Sequence, residues 1–148
     1  MSTVVIRDPI LGELRFPAGA SFYGDVLAGS ALLTPKHLVS VYLYVQSADG
    51  ESLAASVQAA ARLFAHVRRC EWEYRFAFAL ALLDASLLPS GAFDPDAVAR
   101  SLILSEVNFV ESEGRAYLSY ESPAGTTLEG EVSVDDDLTF RVNLFPQG

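Results

Sequence analysis

The spacing of apolar residues along this 148-residue chain changes twice, from a period of two to a period near 3.6 and back again. Val39, Val41, Leu43 and Val45 alternate with Ser40, Tyr42, Tyr44 and Gln46, which predicts a strand over Leu38–Gln46 with one aliphatic and one aromatic-polar face. Ahead of it, Val4–Arg7 and Leu11–Phe16 read as short strands parted by the turn dipeptide Asp8-Pro9. Phe22–Leu27 and a weaker Ser30–Thr34 follow, with Gly24 and Gly29 as bend or bulge points. Ser47-Ala-Asp-Gly50 closes the strand run and offers side chains that can cap a helix.

From Glu51 the period is helical. Leu53, Val57, Ala61, Phe64 and Val67 fall on one helix face. The charged run Arg68-Arg69-Cys70-Glu71 reads as a break before a second helix, Trp72–Leu88, in which Trp72, Phe76, Ala79, Leu80, Leu83 and Leu87 form one stripe while Phe78 and Leu82 populate the other side. Pro89-Ser-Gly91 ends it, and Asp94-Pro95 opens a short helix to about Arg100, with aspartate as N-cap and proline first in the helix. Alternation then returns in Leu102–Val110, Arg115–Glu121, Thr127–Val134 and the segment after Asp135-Asp136-Asp137, the mark of an antiparallel meander with one buried face. The expected fold is one α+β domain over residues 1–148, ordered strands, helices, strands. Its antiparallel sheet can curve strongly, its two central helices pack on one face, and the N-terminal strands join the C-terminal meander.

Composition supports a packed core, with 51% hydrophobic and 20% charged residues. Charge adds more. The net charge is −9, and residues 101–148 carry −7 of it. A folded acidic sheet attracts cationic partners and repels nucleic acid, whose phosphates need clustered Lys and Arg. The concentrated positive charge, Arg62, Arg68, Arg69 and Arg75, stands beside Glu71 and Glu73 and reads as helix-end arginines in salt bridges. The N-terminus MSTVVIRDPI shows no signal-peptide pattern, and the longest apolar run, Phe76–Leu83, is short of the roughly 20 residues that span a bilayer. A cytoplasmic protein without a membrane partner is expected.

Catalytic and metal-binding patterns are absent from the sequence. None of the nucleophile-elbow, phosphate-loop, zinc-protease or dinucleotide motifs occurs. A lone Cys70 excludes an internal disulfide, and His37 and His66 have no further ligands at short spacing, so no metal or cofactor is expected. Asp135-Asp136-Asp137 offers hard oxygen ligands, but without the glycine and distal glutamate of a calcium loop it reads as a hairpin turn.

The opening RDPILGELRF (Arg7–Phe16) is a strand, Asp, Gly, strand signature, and the ending TTLEGEVSVDDDLTFRVNLFPQG (Thr126–Gly148) is a paired-strand tail with an acidic turn. With the helical block between them, they resemble a bacterial family, domain of unknown function 2262, over most of the chain. In that family's tail a histidine often follows the glycine found here as Gly130; this chain has Glu131. The resemblance brings no established activity and therefore implies no catalytic residue. It implies kinship with small acidic α+β proteins found around bacterial toxin systems.

The expected function is that of a non-enzymatic, immunity-like interaction protein that neutralises a basic protein partner. Glu129, Glu131, Asp135, Asp136 and Asp137 are the contact residues and Tyr117 the anchor. The alternative is a small-molecule-binding or sensing domain with a pocket between helices and sheet, lined by Tyr42, Tyr44 and Trp72. Exposure of Phe22, Tyr23 and Tyr44 would instead make a homo-oligomer.

Overall fold

The computed structural model describes residues 4–21, 24–46, 50–85, 94–121 and 130–145. Four strands come first: β1 (Val4–Asp8), β2 (Gly12–Ser21), β3 (Gly24–Thr34) and β4 (His37–Val45). The helices α1 (Gly50–Asp84) and α2 (Pro95–Ser101) follow, and then β5 (Ile103–Val110), a 3-10 turn at Glu111–Glu113, β6 (Arg115–Glu121), β7 (Gly130–Asp135) and β8 (Phe140–Leu144). All eight strands form one α+β sheet in sequential order β1 to β8, not closed on itself. Every neighbouring pair is antiparallel except β4 and β5, which run parallel. The N-terminal strands and the C-terminal meander thus share one sheet. Three register shifts, at Arg15/Gly19, Leu32/Thr34 and Leu104/Glu106, raise its local twist.

A parallel pair cannot be joined by a hairpin, so the chain must cross over the sheet between β4 and β5. Helix α1 makes that crossing and packs against β4, β7 and β8. Its buried residues Leu53, Val57, Phe64, Val67, Tyr74, Phe78 and Leu82 meet Val39, Val41, Leu43 and Val45 of β4 in one core cluster with Val107, Leu118 and Val132. Helix α2 adds Val98 and Ala99 to that cluster, and its start matches expectation: Asp94 Oδ1 accepts from the Asp96 N–H at 3.1 Å, and Pro95 follows.

Two central helices were expected where α1 is continuous through Arg68–Glu71. The buried phase runs unbroken from Phe64 and Val67 through Glu71 to Tyr74, Phe78 and Leu82. Glu71 therefore occupies a core position, and Arg75 one turn on neutralises it with Nε at 2.9 Å and Nη2 at 2.7 Å from the same carboxylate oxygen. That pairing removes the reason to break the helix. Of the expected stripe, Trp72 (45% exposed) and Leu80 (39%) turn outward, Phe76 and Leu83 are partly buried against the core, and Ala79 is fully buried. The strand expected in two pieces, Phe22–Leu27 and Ser30–Thr34, is the single β3, and Phe22 and Tyr23 lie outside the described residues, as does the expected helix end around Leu87–Leu88.

Two tyrosines seal the helix–sheet interface. The Tyr120 hydroxyl donates to Glu71 Oε1 at 3.4 Å, and burial first, then the Glu71 charge, holds it protonated well above its ordinary range. Tyr74, 1% exposed, packs edge-on against Phe140 at 4.9 Å between ring centroids. Its hydroxyl has no hydrogen-bond partner of good geometry among the described residues. Desolvation, followed by the neighbouring Cys70 and Glu73, pushes its pKa up to about 12. The unfolded phenol titrates near 10, so the native state holds more protons above that pH and stability falls as pH rises from about 10 through 12. Tyr74→Phe removes an unsatisfied buried hydroxyl and should raise stability at pH 7 by about 1 kcal/mol. Urea melts at pH 7 and pH 11 read both effects, with a wider gap between variant and wild type at pH 11.

Gly29 of β3 sets a second limit. A Cβ there would collide with the Glu13 carbonyl oxygen of β2 and sit 3.1 Å from Leu14 Cδ2. Gly29→Ala should destabilise by about 2 kcal/mol through overpacking, seen as a lower urea midpoint with an unchanged slope.

Candidate functional site

Alternation gives the sheet a second face, turned away from α1. On β6, Ala116, Leu118 and Tyr120 are buried in the core, which leaves Arg115, Tyr117, Ser119 and Glu121 on the outer side. Register then aligns one row across five strands, because Tyr42 pairs with Asn108, Asn108 with Tyr117, Tyr117 with Ser133, and Ser133 with the exposed Arg141 of β8. With strands about 4.8 Å apart, Tyr42 and Tyr117 stand about 10 Å from one another on one polar surface. Tyr42 and Tyr44, named as pocket residues, thus share the outer face with the expected anchor Tyr117; Trp72 is on the outward side of α1, apart from them.

The acids divide by their partners. Asp135 is paired, with Oδ1 3.0 Å from Arg115 Nε. Asp137 is committed to its own turn, accepting from Thr139 Oγ1 at 2.7 Å and the Thr139 N–H at 3.1 Å, which lowers its pKa. Asp136 is exposed at the tip of that turn, and the next residue but one, Leu138, has a φ of 72°, a left-handed conformation. Glu131 of β7 is half-buried on the outer face with no cationic partner among the described residues. Burial first and the nearby Glu113 carboxylate second raise its pKa. Glu113 itself accepts from the Tyr117 hydroxyl. Glu129 lies outside the described residues.

A second feature was not foreseen. A half-open groove of about 830 Å³ runs between α1 and the ends of β4 and β5. Its floor is apolar, from Leu43, Ala60, Leu63 and Phe109. Arg62, His66 and Arg69 line the helix side at spacings of four and three, one turn after another. The facing wall carries Glu111, Arg115, Asp136 and Leu138. Ser56 bridges the two sides by donating to Glu111 Oε2 at 2.7 Å, the oxygen that also takes the Gln46 N–H at 3.3 Å. None of Tyr42, Tyr44 and Trp72 lines this groove.

The arginine cluster is split by the fold. Arg75 is ion-paired with Glu71, while Arg68 donates to the Ile10 carbonyl at 3.2 Å and stacks over the Phe64 ring. Arg62 and Arg69 have no ion-pair or hydrogen-bond partner among the described residues. The i, i+4, i+7 spacing of Arg62, His66 and Arg69 was the signal in the sequence; grouping the arginines by proximity along the chain concealed it. His37 Nε2 donates to the Leu104 carbonyl at 2.9 Å, joining β4 to β5. No three metal-ligating side chains converge among the described residues, and no described helix is long and apolar enough to cross a membrane.

Compared with known proteins, the chain matches no family model, no curated protein and no solved structure.

Glu131 is raised in the folded state by burial and by a like charge, so folding costs more when it is ionised. Glu131→Gln should therefore stabilise the protein at pH 7, and the gain should shrink to nothing as pH falls below the ordinary glutamate range. Thermal melts of both proteins at pH 7 and pH 3.5 measure it, the wild-type difference between the two pH values serving as reference.

Proposed function

We propose that this protein is a non-enzymatic, immunity-like binding protein whose outer sheet face receives a cationic protein partner. The observation that carries the proposal is Glu131, a half-buried carboxylate with no ion-pair partner among the described residues, beside Glu113 and Tyr117 on a face that no described helix covers. A partly desolvated carboxylate beside a like charge gains most when a cation arrives, because the cation relieves both costs at once. Tyr117 and Tyr42 add broad contact area with hydroxyl handles and ring faces that accept Lys or Arg. Asp136, at the turn beyond β7, extends the negative charge past the sheet end. Asp135 and Asp137 contribute less than their position in the chain implies, since Arg115 and Thr139 already engage them.

The same proposal treats the chain as a cytoplasmic relative of domain of unknown function 2262, in which Glu131 stands where a histidine is frequent. It assigns no catalytic residue and no cofactor.

Wild-type protein and the double variant Glu113→Gln/Glu131→Gln serve as bait in the native lysate at low and high salt. One basic protein retained by the wild type at low salt, released as salt rises and lost from the double variant, is the expected result. Association measured with that purified partner should slow about tenfold in the variant, as removal of steering charges predicts. Equal capture by both baits sinks the proposal.

A further inference from the structure

The groove beside α1 lies on the other side of the core from Glu131 and shares Asp136 with the acidic surface, and on its helix side the free charge is positive. We infer that it is a binding site for a small amphipathic carboxylic acid, its carboxylate held between Arg62 and Arg69 and its apolar body lying on Leu63 and Phe109. Three observations lead there.

The first is the accounting of charge. In a chain of net charge −9, an unpaired arginine has an excess of carboxylates to choose from, yet Arg62 and Arg69 have no partner among the described residues. They sit two turns apart on one helix face with His66 between them, all three lining the same groove. Guanidinium groups so arranged present several donors to one anionic head.

The second is the fate of the acids on the opposite wall. Glu111 is occupied by the Ser56 hydroxyl and the Gln46 N–H. Arg115 is taken by Asp135. Of the groove's carboxylates, Asp136 alone has its side chain unengaged among the described residues, and it repels an anion from the turn side. An anionic head is thereby directed to the helix rim.

The third is shape. A volume of about 830 Å³ falls within the roughly 300–1,000 Å³ of small-molecule sites. The apolar floor suits a hydrocarbon or aromatic body and offers no second cation for a polyanion. The location also fits, at the carboxyl ends of the parallel strands β4 and β5, where α/β crossovers leave a crevice beside the helix.

The test uses two probes of equal length and different charge, octanoate and octanamide, titrated calorimetrically into the intact protein. Octanoate should bind about tenfold more tightly than octanamide, the worth of a charge-assisted contact. Arg62→Gln/Arg69→Gln should bring octanoate down to the octanamide level and leave octanamide unchanged; both positions are exposed, so the fold tolerates the change. Ala59→Trp, at an exposed position that lines the groove, fills the space and should weaken both probes. Three results overturn the inference: equal affinity for the two probes, octanoate binding that survives the arginine substitutions, or octanoate binding that survives Ala59→Trp. Failure of octanoate to bind at millimolar concentration overturns it as well. None of these outcomes bears on capture of a basic protein by the outer face.

Discussion

The parallel pairing of β4 with β5 is the constraint on which the rest of the structure depends. Six of the seven neighbouring strand pairs are antiparallel and open to hairpin connection, but this one junction obliges the chain to return across the sheet before β5 can start. The 35 residues of α1 do that, about 52 Å of helix at 1.5 Å per residue. One crossing element covers one face. The sheet is consequently asymmetric, with an aliphatic side under the helix and a polar, tyrosine-bearing side outside. The groove has the same origin, because it forms where the helix leaves the carboxyl ends of the parallel strands.

Keeping α1 in one piece requires a charge in the core. Glu71 stands at a buried phase of the helix, and a lone carboxylate there would be costly. Arg75 brings two nitrogens to the same oxygen, and the Tyr120 hydroxyl adds a third donor from β6. The cluster links helix to sheet at a fixed rotation, since turning α1 by one residue would expose Tyr74 and Phe78 and bury Trp72. Breaking such a pair by removing one partner generally costs about 3–5 kcal/mol, whereas replacing both by apolar residues is often neutral. The pair is therefore better understood as setting the helix phase than as a source of stability.

Strands were the legible part of the sequence because their period is two and their faces differ sharply. Val39, Val41, Leu43 and Val45 announced the core side of β4, and Asp94-Pro95 announced the start of α2. Continuity of α1 was hidden because its second half is apolar on two sides. Trp72, Phe76 and Leu80 outweigh Tyr74, Phe78 and Leu82 in bulk, and the polar Glu71 stands at the true buried phase. The spacing of Glu71 to Arg75, one helical turn, was the available clue. The outer-face row Tyr42, Asn108, Tyr117, Ser133 could not be read in advance, since it depends on the β4–β5 register and on parallel pairing across more than fifty intervening residues. The groove was illegible for the same reason: its walls come from α1, from the 3-10 turn and from the β7–β8 turn.

The carboxylate of Glu131 and the guanidinium groups of Arg62 and Arg69 stand on opposite sides of one apolar layer. Glu131 and Glu113 lie outside the sheet, and Arg62 and Arg69 lie on the helix beyond its other face. A sheet and the helix packed on it are separated by about 10 Å of side chains, and each charge is fixed to a rigid element. The two sets cannot reach one another without dismantling the core. Glu131, Arg62 and Arg69 form none of the ion pairs found among the described residues, such as those that join Glu71 to Arg75 and Arg115 to Asp135. Under the two proposals the sides suit different molecules: the tyrosine-bearing face with Glu131 suits a cationic surface, and the groove with two arginines at its rim suits a small anion.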